Sequence, residues 1–237
     1  GLRGVPWRTP RGRFELWRGA SGFVSLCFYF YGISLLPLAT AVTLAYTAPL
    51  FLALYLAAFG KARLNAGIVA ALGVGFAGVA LLLRPNLDGA QWLGITVSLV
   101  SGMLAGIAYF NVRELGERGE PEERTVFYFS LLATVGSGLW LAVAERHPVE
   151  DLRGGLLLLG VGAFGVLAQL AMTRAYKRGK TLVAASLAYS AVIFASLFGM
   201  LIWQETLSFE AWLAIALIVA SGVMANTFSN VRPAANA

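Results

Sequence analysis

The chain has 237 residues, of which 58% are hydrophobic and only 13% charged, and its mean hydropathy is +0.73. So little charge cannot clothe a water-facing surface, which in soluble proteins draws on roughly 25% charged residues. The composition therefore predicts an integral membrane protein and excludes disorder and a secreted disulfide scaffold. A single cysteine, Cys27, excludes an intrachain disulfide, and a single histidine, His147, excludes a histidine-based metal centre.

The gaps between charges give the spans. Residues 19–60 carry no charge, a run of 42 residues. As helix this run would measure about 63 Å, twice the bilayer core, so it crosses twice, with the turn expected at Pro37, which lacks a backbone donor. Uncharged windows follow at 64–83, 89–112, 125–144, 154–173, 181–204 and 211–231. Each suits one crossing, so the prediction is an all-α membrane protein of eight transmembrane helices. If the N-terminus is cytoplasmic, fifteen of the basic residues fall on that side and only Arg84, Arg146 and Arg153 on the other. This positive-inside bias places both termini in the cytoplasm. It also accounts for the net charge of +6 as topology rather than as a nucleic-acid surface. A signal peptide ending near Ala39-Thr40-Ala41 fits less well, because the apolar stretch continues beyond it.

An internal repeat is visible at an offset of 143. Residues 41–64 over 184–207 share eight identities in 24. The core of the match is Thr43-Leu44-Ala45-Tyr46-Thr47-Ala48 against Ser186-Leu187-Ala188-Tyr189-Ser190-Ala191. The copies lie five spans apart, the second span and the seventh. The number is odd, so they cross in opposite senses, as inverted repeats do in many secondary transporters.

These residues carry a resemblance. The stretches Arg18-Gly19, Leu36-Pro37-Leu38-Ala39-Thr40-Ala41, Tyr46-Thr47-Ala48-Pro49-Leu50-Phe51 and Gly78-Val79 lie in the first half. Ala175-Tyr176, Leu187-Ala188-Tyr189, Phe198-Gly199, Glu205 and Gly222 lie in the second. The sequence resembles the drug/metabolite transporter superfamily, EamA type. The resemblance implies a bacterial inner-membrane permease of ten helices in two five-helix repeats, of which this chain looks like helices three to ten. It divides the chain into a cytoplasmic basic loop at 1–19, the three-helix remainder of a first repeat at 20–84, a second repeat at 89–229 and a cytoplasmic tail at 230–237. This chain has Ala62 where the second copy has Glu205.

Polar residues inside the spans mark candidate solute contacts. Thr43, Tyr46 and Thr47 share one helix face, as do Ser186, Tyr189 and Ser190 in the other copy. Both tyrosines sit deep, which argues against the interfacial belt. Pro49 would kink its helix and free a carbonyl. Gln169, with Gly162 and Gly165 on its face, should point into the bundle. Tyr109, Asn111, Tyr128 and Trp140 read as interface residues. Gly94, Ser98, Gly102 and Gly106, like Gly67, Ala71 and Gly75, form small-residue seams that would suit close helix packing or a homodimer. No span carries a charge near its middle, which favours a neutral or zwitterionic small-molecule solute over a proton relay. Gly179-Lys180-Thr181 lacks the leading glycine of a phosphate-binding loop. No cofactor, metal or catalytic residue is expected, so a membrane-embedded enzyme is the weaker reading, and a truncated, non-transporting subunit is the other alternative.

Overall fold

The computed structural model describes residues 9–36, 38–59, 65–84, 91–143, 151–204, 206 and 208–229. These form ten helices: α1 (Gly12–Leu35), α2 (Leu38–Ala45), α3 (Ala48–Ala58), α4 (Ala66–Leu83), α5 (Trp92–Glu117), α6 (Glu122–Val143), α7 (Leu152–Arg178), α8 (Thr181–Leu187), α9 (Ser190–Trp203) and α10 (Phe209–Ser229). Pro37, Ala62, His147, Glu205 and the tail at 230–237 lie outside the described residues, as do residues 1–8 of the expected basic loop.

α2 with α3, and α8 with α9, are each one crossing interrupted near its middle. Counted so, seven segments are long and apolar enough to span a membrane. α1 is the eighth long helix, with 24 residues, or about 36 Å. It is less apolar because Arg13, Glu15 and Arg18 occupy its first two turns. The all-α architecture is thus the observed one, with seven segments that suit a crossing and α1 as an eighth long helix.

The helices differ from the expected windows at their charged ends. α1 begins at Gly12 rather than at residue 19, α5 runs on to Glu117, and α7 runs on to Arg178. The physical reason is that the charged residues there find partners, across the bundle for α1 and α7 and along the helix for α5. Arg113 pairs with Glu117 at 2.6 Å, and Arg118 with Glu114 at 2.7 Å, both one turn apart. Such pairs let a helix continue through charge. At the other end, Asn65 accepts from the Ile68 amide at 2.8 Å and Asp151 from the Gly154 amide at 2.7 Å. Each caps a helix start whose first amides have no intrahelical acceptor.

The small-residue seams are consumed within the chain. On α5, a side chain at Gly94 would meet Leu36, one at Gly102 would meet Thr47, and one at Gly106 would meet Phe51 and the Ala48 carbonyl. The seam thus brings α5 against α1, α2 and α3. On α4, Gly67 lies under Phe228, Gly75 under Ser221 and Tyr189, and Gly78 under Ile218, so α4 lies close against α10. α7 contrasts with both. Leu156, Leu159, Val161 and Phe164 are exposed, and nothing lies within 4 Å of a side chain built at Gly160, Gly162 or Gly165. Trp140 on α6 is likewise exposed.

Candidate functional site

The two interruptions fall at matching places of the repeat. An offset of 143 carries Leu38, the first residue of α2, onto Thr181, the first of α8, and carries Tyr46 onto Tyr189. In the first copy the break spans Tyr46 and Thr47. The Thr47 amide donates to the Leu44 carbonyl at 3.1 Å and the Leu50 amide to the Thr47 carbonyl at 2.9 Å, tighter steps than the four-residue ladder. Pro49 sits at the start of α3, where a missing donor costs nothing. In the second copy the Tyr189 amide donates to the Ser186 carbonyl at 3.3 Å and the Ala191 amide to the Ala188 carbonyl at 3.2 Å. This break forms without a proline.

The breaks face each other. The Tyr46 and Tyr189 rings lie 6.1 Å apart, tilted at 54°. Beside them is a cavity of about 270 Å³, bordered by Ser25 and Tyr29 of α1, Tyr46 and Pro49 of the first break, Ser101 and Tyr109 of α5, and Ala188 of the second break. Its size is close to the lower end of small-ligand sites, roughly 300–1,000 Å³. Irregular backbone is tolerated at membrane depth where it lines such a space.

Of the residues singled out from the sequence, Tyr46 and Pro49 border the cavity. Tyr189 is fully buried behind Tyr46, and its hydroxyl has no hydrogen-bond partner. Thr43 and Thr47 are buried off the lining. The Thr47 hydroxyl turns back onto the Leu44 carbonyl at 2.6 Å, the local bond expected of a helical threonine. Ser186 pairs with Ser221 at 2.8 Å. With Ser190 it borders a separate depression of about 490 Å³ between α8, α9 and α10. Gln169 does point inward, but onto Arg18 rather than into the cavity.

Four cavity residues escape the sequence stripes: Ser25, Tyr29, Ser101 and Tyr109. Tyr109 corrects an expectation. It borders the cavity, and α5 continues eight residues past it to Glu117. Its ring stacks on Tyr176 of α7 at 4.9 Å and 12°. Ser25 and Ser101 lock α1 to α5 by exchange: each hydroxyl donates to the other residue's carbonyl at 2.9 Å.

Next to the cavity lies a buried charged floor, formed where α1 begins before the uncharged run; its charges sit at the helix start and not near the middle of a span. Glu15 is 1% exposed and Arg18 2%. The Thr125 hydroxyl donates to Glu15 at 2.8 Å and accepts from Lys177 at 2.7 Å. Arg18 lies over the Phe129 ring at 4.1 Å, a cation–π contact. Among the described residues, no three His, Cys, Asp or Glu side chains converge as metal ligands.

The sequence model of the EamA-like transporter family matches residues 7–84 and 92–227. The pseudopaline exporter CntI of Pseudomonas aeruginosa is 31% identical over 207 residues, covering 87% of this chain and 70% of the relative. A riboflavin transporter of Rhizobium johnstonii is 30% identical over 145 residues, 61% of this chain and 47% of that protein. One crystal structure superimposes with a TM-score of 0.86 over 98% of this chain and 82% of its own, at 23% identity, which shows a shared fold.

Proposed function

This chain belongs to the EamA-like transporter family, and from that premise we propose that it moves a small neutral or zwitterionic metabolite across the membrane by alternating access. The observation that carries the reading is the pair of facing breaks. Two copies of one helix, crossing in opposite senses, are interrupted at matching positions and meet at Tyr46 and Tyr189. Discontinuous helices at a repeat interface are where secondary transporters hold their solutes, because the breaks free backbone groups for binding at membrane depth. The matched tyrosines are not in matched surroundings. Tyr46 is half-buried and borders the cavity, whereas Tyr189 is fully buried behind it. Two like elements in unlike environments are what an exchange of roles requires. The solute is recognised by tyrosine rings, hydroxyls and freed backbone groups. The basic ends of the helices face a bacterial cytoplasm. The relatives named as an exporter and as a transporter of riboflavin support a metabolite-sized cargo.

The test is flux in proteoliposomes, using a panel of labelled amino acids, nucleosides and vitamins. Tyr46→Ala or Tyr189→Ala should lower flux of the accepted solute by up to about tenfold, since an aromatic pair contact is worth about 0.5–1.5 kcal/mol. Reconstituted protein amounts should be unchanged. Full flux in both variants would remove the tyrosine pair from the transport path.

A further inference from the structure

We propose that Arg18 is a carboxylate-binding residue at the foot of the cavity, so that the transported solute carries a carboxylate group. This rests on the transport reading above and adds the charge of the cargo.

Arg18 is almost wholly enclosed, at 2% exposure, yet among the described residues it makes no ion pair with an acid, and Glu15 acts on it only at a distance. Its Nη2 donates to the neutral Gln169 amide oxygen at 2.9 Å, and its plane rests on the Phe129 ring. Nε is buried with no hydrogen-bond partner. Other buried or half-buried arginines near it are paired: Arg124 with Glu120 at 2.7 Å, Arg118 with Glu114 at 2.7 Å, Arg113 with Glu117 at 2.6 Å. Glu15, one turn before Arg18, does not serve as its partner. Its Oε1 accepts a hydrogen bond from the Thr125 hydroxyl, and the same hydroxyl accepts from Lys177. Glu15 and Lys177 therefore balance each other through Thr125. Arg18 is left as a buried cation with an unpaired N–H and no acid hydrogen-bonded to it, an arrangement that is costly unless something anionic completes it.

The geometry says where that group would come from. Arg18, Gly22, Ser25 and Tyr29 recur at i, i+4, i+7 and i+11, so they form one stripe along α1. Ser25 and Tyr29 border the cavity. Gly22 lies between them and the arginine. Because it has no side chain, Arg18 Nη1 comes to 3.0 Å from where its Cβ would stand. The guanidinium thus lies across the glycine toward the cavity rather than back toward the helix end. Tyr109, on the opposite wall, is within electrostatic range of it. A guanidinium with N–H donors still open suits the two oxygens of a carboxylate, and the enclosed apolar setting strengthens such a bond. Among the neutral and zwitterionic solutes, this selects those with a carboxylate.

The experiment uses the chain in lipid nanodiscs and a matched pair of probes, 3-phenylpropanoate and its amide, with half-saturation read from thermal stabilisation at neutral pH. The wild type should bind the carboxylate at least tenfold more tightly than the amide. Arg18→Lys should keep a preference, and Arg18→Gln should reduce it below threefold. If Arg18→Gln does not yield folded protein, the wild type and Arg18→Lys decide. Equal binding of the pair by the wild type, binding of neither, or an intact preference in Arg18→Gln overturns the proposal. Flux of the solute panel is measured on the same preparations. A chain that transports without the preference sinks only this inference, and one that shows the preference but transports nothing sinks only the transport reading.

Discussion

The contact between α5 and the first break can be tested through Gly102. A methyl group placed there would stand 2.4 Å from the Thr47 hydroxyl, 3.1 Å from the Leu44 carbonyl oxygen and 3.2 Å from that of Ala45. The first distance cannot persist, and the hydroxyl is not free to swing, because it is bonded to the Leu44 carbonyl at 2.6 Å. Either α5 retreats or the turn at Tyr46 and Thr47 shifts. Overpacking of this kind costs about 1–3 kcal/mol, so Gly102→Ala should destabilise the protein by about 2 kcal/mol. Thr47→Ala alone should cost only about 0.6 kcal/mol, the typical worth of one hydrogen bond inside a membrane protein. In the Thr47→Ala background the carbonyl contacts remain, but each needs a shift of only a few tenths of an ångström. There Gly102→Ala should add less than about 1 kcal/mol, giving a coupling of about 1 kcal/mol between the two sites. Equilibrium unfolding in mixed micelles, followed by helix content, measures all four proteins. The reasoning fails if Gly102→Ala is as stable as the wild type, or if the two costs simply add.

Two further outcomes follow from the packing. Thr125→Val removes the hydroxyl that joins Lys177 to Glu15 and leaves a buried carboxylate without a donor; it should cost about 2–3 kcal/mol, while Thr125→Ser stays near the wild type, and unfolding curves for the pair would show whether the bridge matters. Gly162→Ala, on the uncovered face of α7, should change stability by less than about 0.5 kcal/mol because a methyl there meets nothing within 4 Å. A larger loss in the same assay would place another helix on that face in the membrane.

The crossings were legible because they follow from the bilayer itself. A run of 42 uncharged residues cannot be one span, and the odd offset of five spans from one copy to the other fixes their opposite senses. The seams of Gly94, Gly102 and Gly106, and of Gly67 and Gly75, were legible for a related reason, since backbones approach closely only where side chains are small. The break at Tyr46 had a signal in Pro49. The break at Tyr189 had none of its own and was visible only through the repeat, which places it opposite the first. Sequence spacing alone could not tell which side of a stripe faces space. Thr43, Tyr46 and Thr47 share a face, yet only Tyr46 borders the cavity, because the turn redirects Thr47 onto the Leu44 carbonyl and toward Gly102.

The charged floor was hidden by the rule that located the spans. Treating each charge as the end of a crossing stops α1 at residue 19 and α5 at residue 112, which removes Arg18 from its helix and moves Tyr109 to an interface. The rule fails where charges can be satisfied at depth, and each of these ends satisfies them differently. α5 does so within its own turns, through Arg113 with Glu117 and Arg118 with Glu114. α1 does so across the bundle, through Thr125 and Lys177 for Glu15, and through Gln169 and Phe129 for Arg18. Only the last of these leaves a charge with no hydrogen-bonded group of opposite sign. Once α1 is allowed to begin at Gly12, the spacing of Arg18, Gly22, Ser25 and Tyr29 becomes one face of one helix, with a cation at its foot, a gap above it and the cavity beyond. A helix that merely needed a basic anchor at the membrane edge could let that side chain reach water. Arg18 is turned inward instead, over a glycine and toward the cavity.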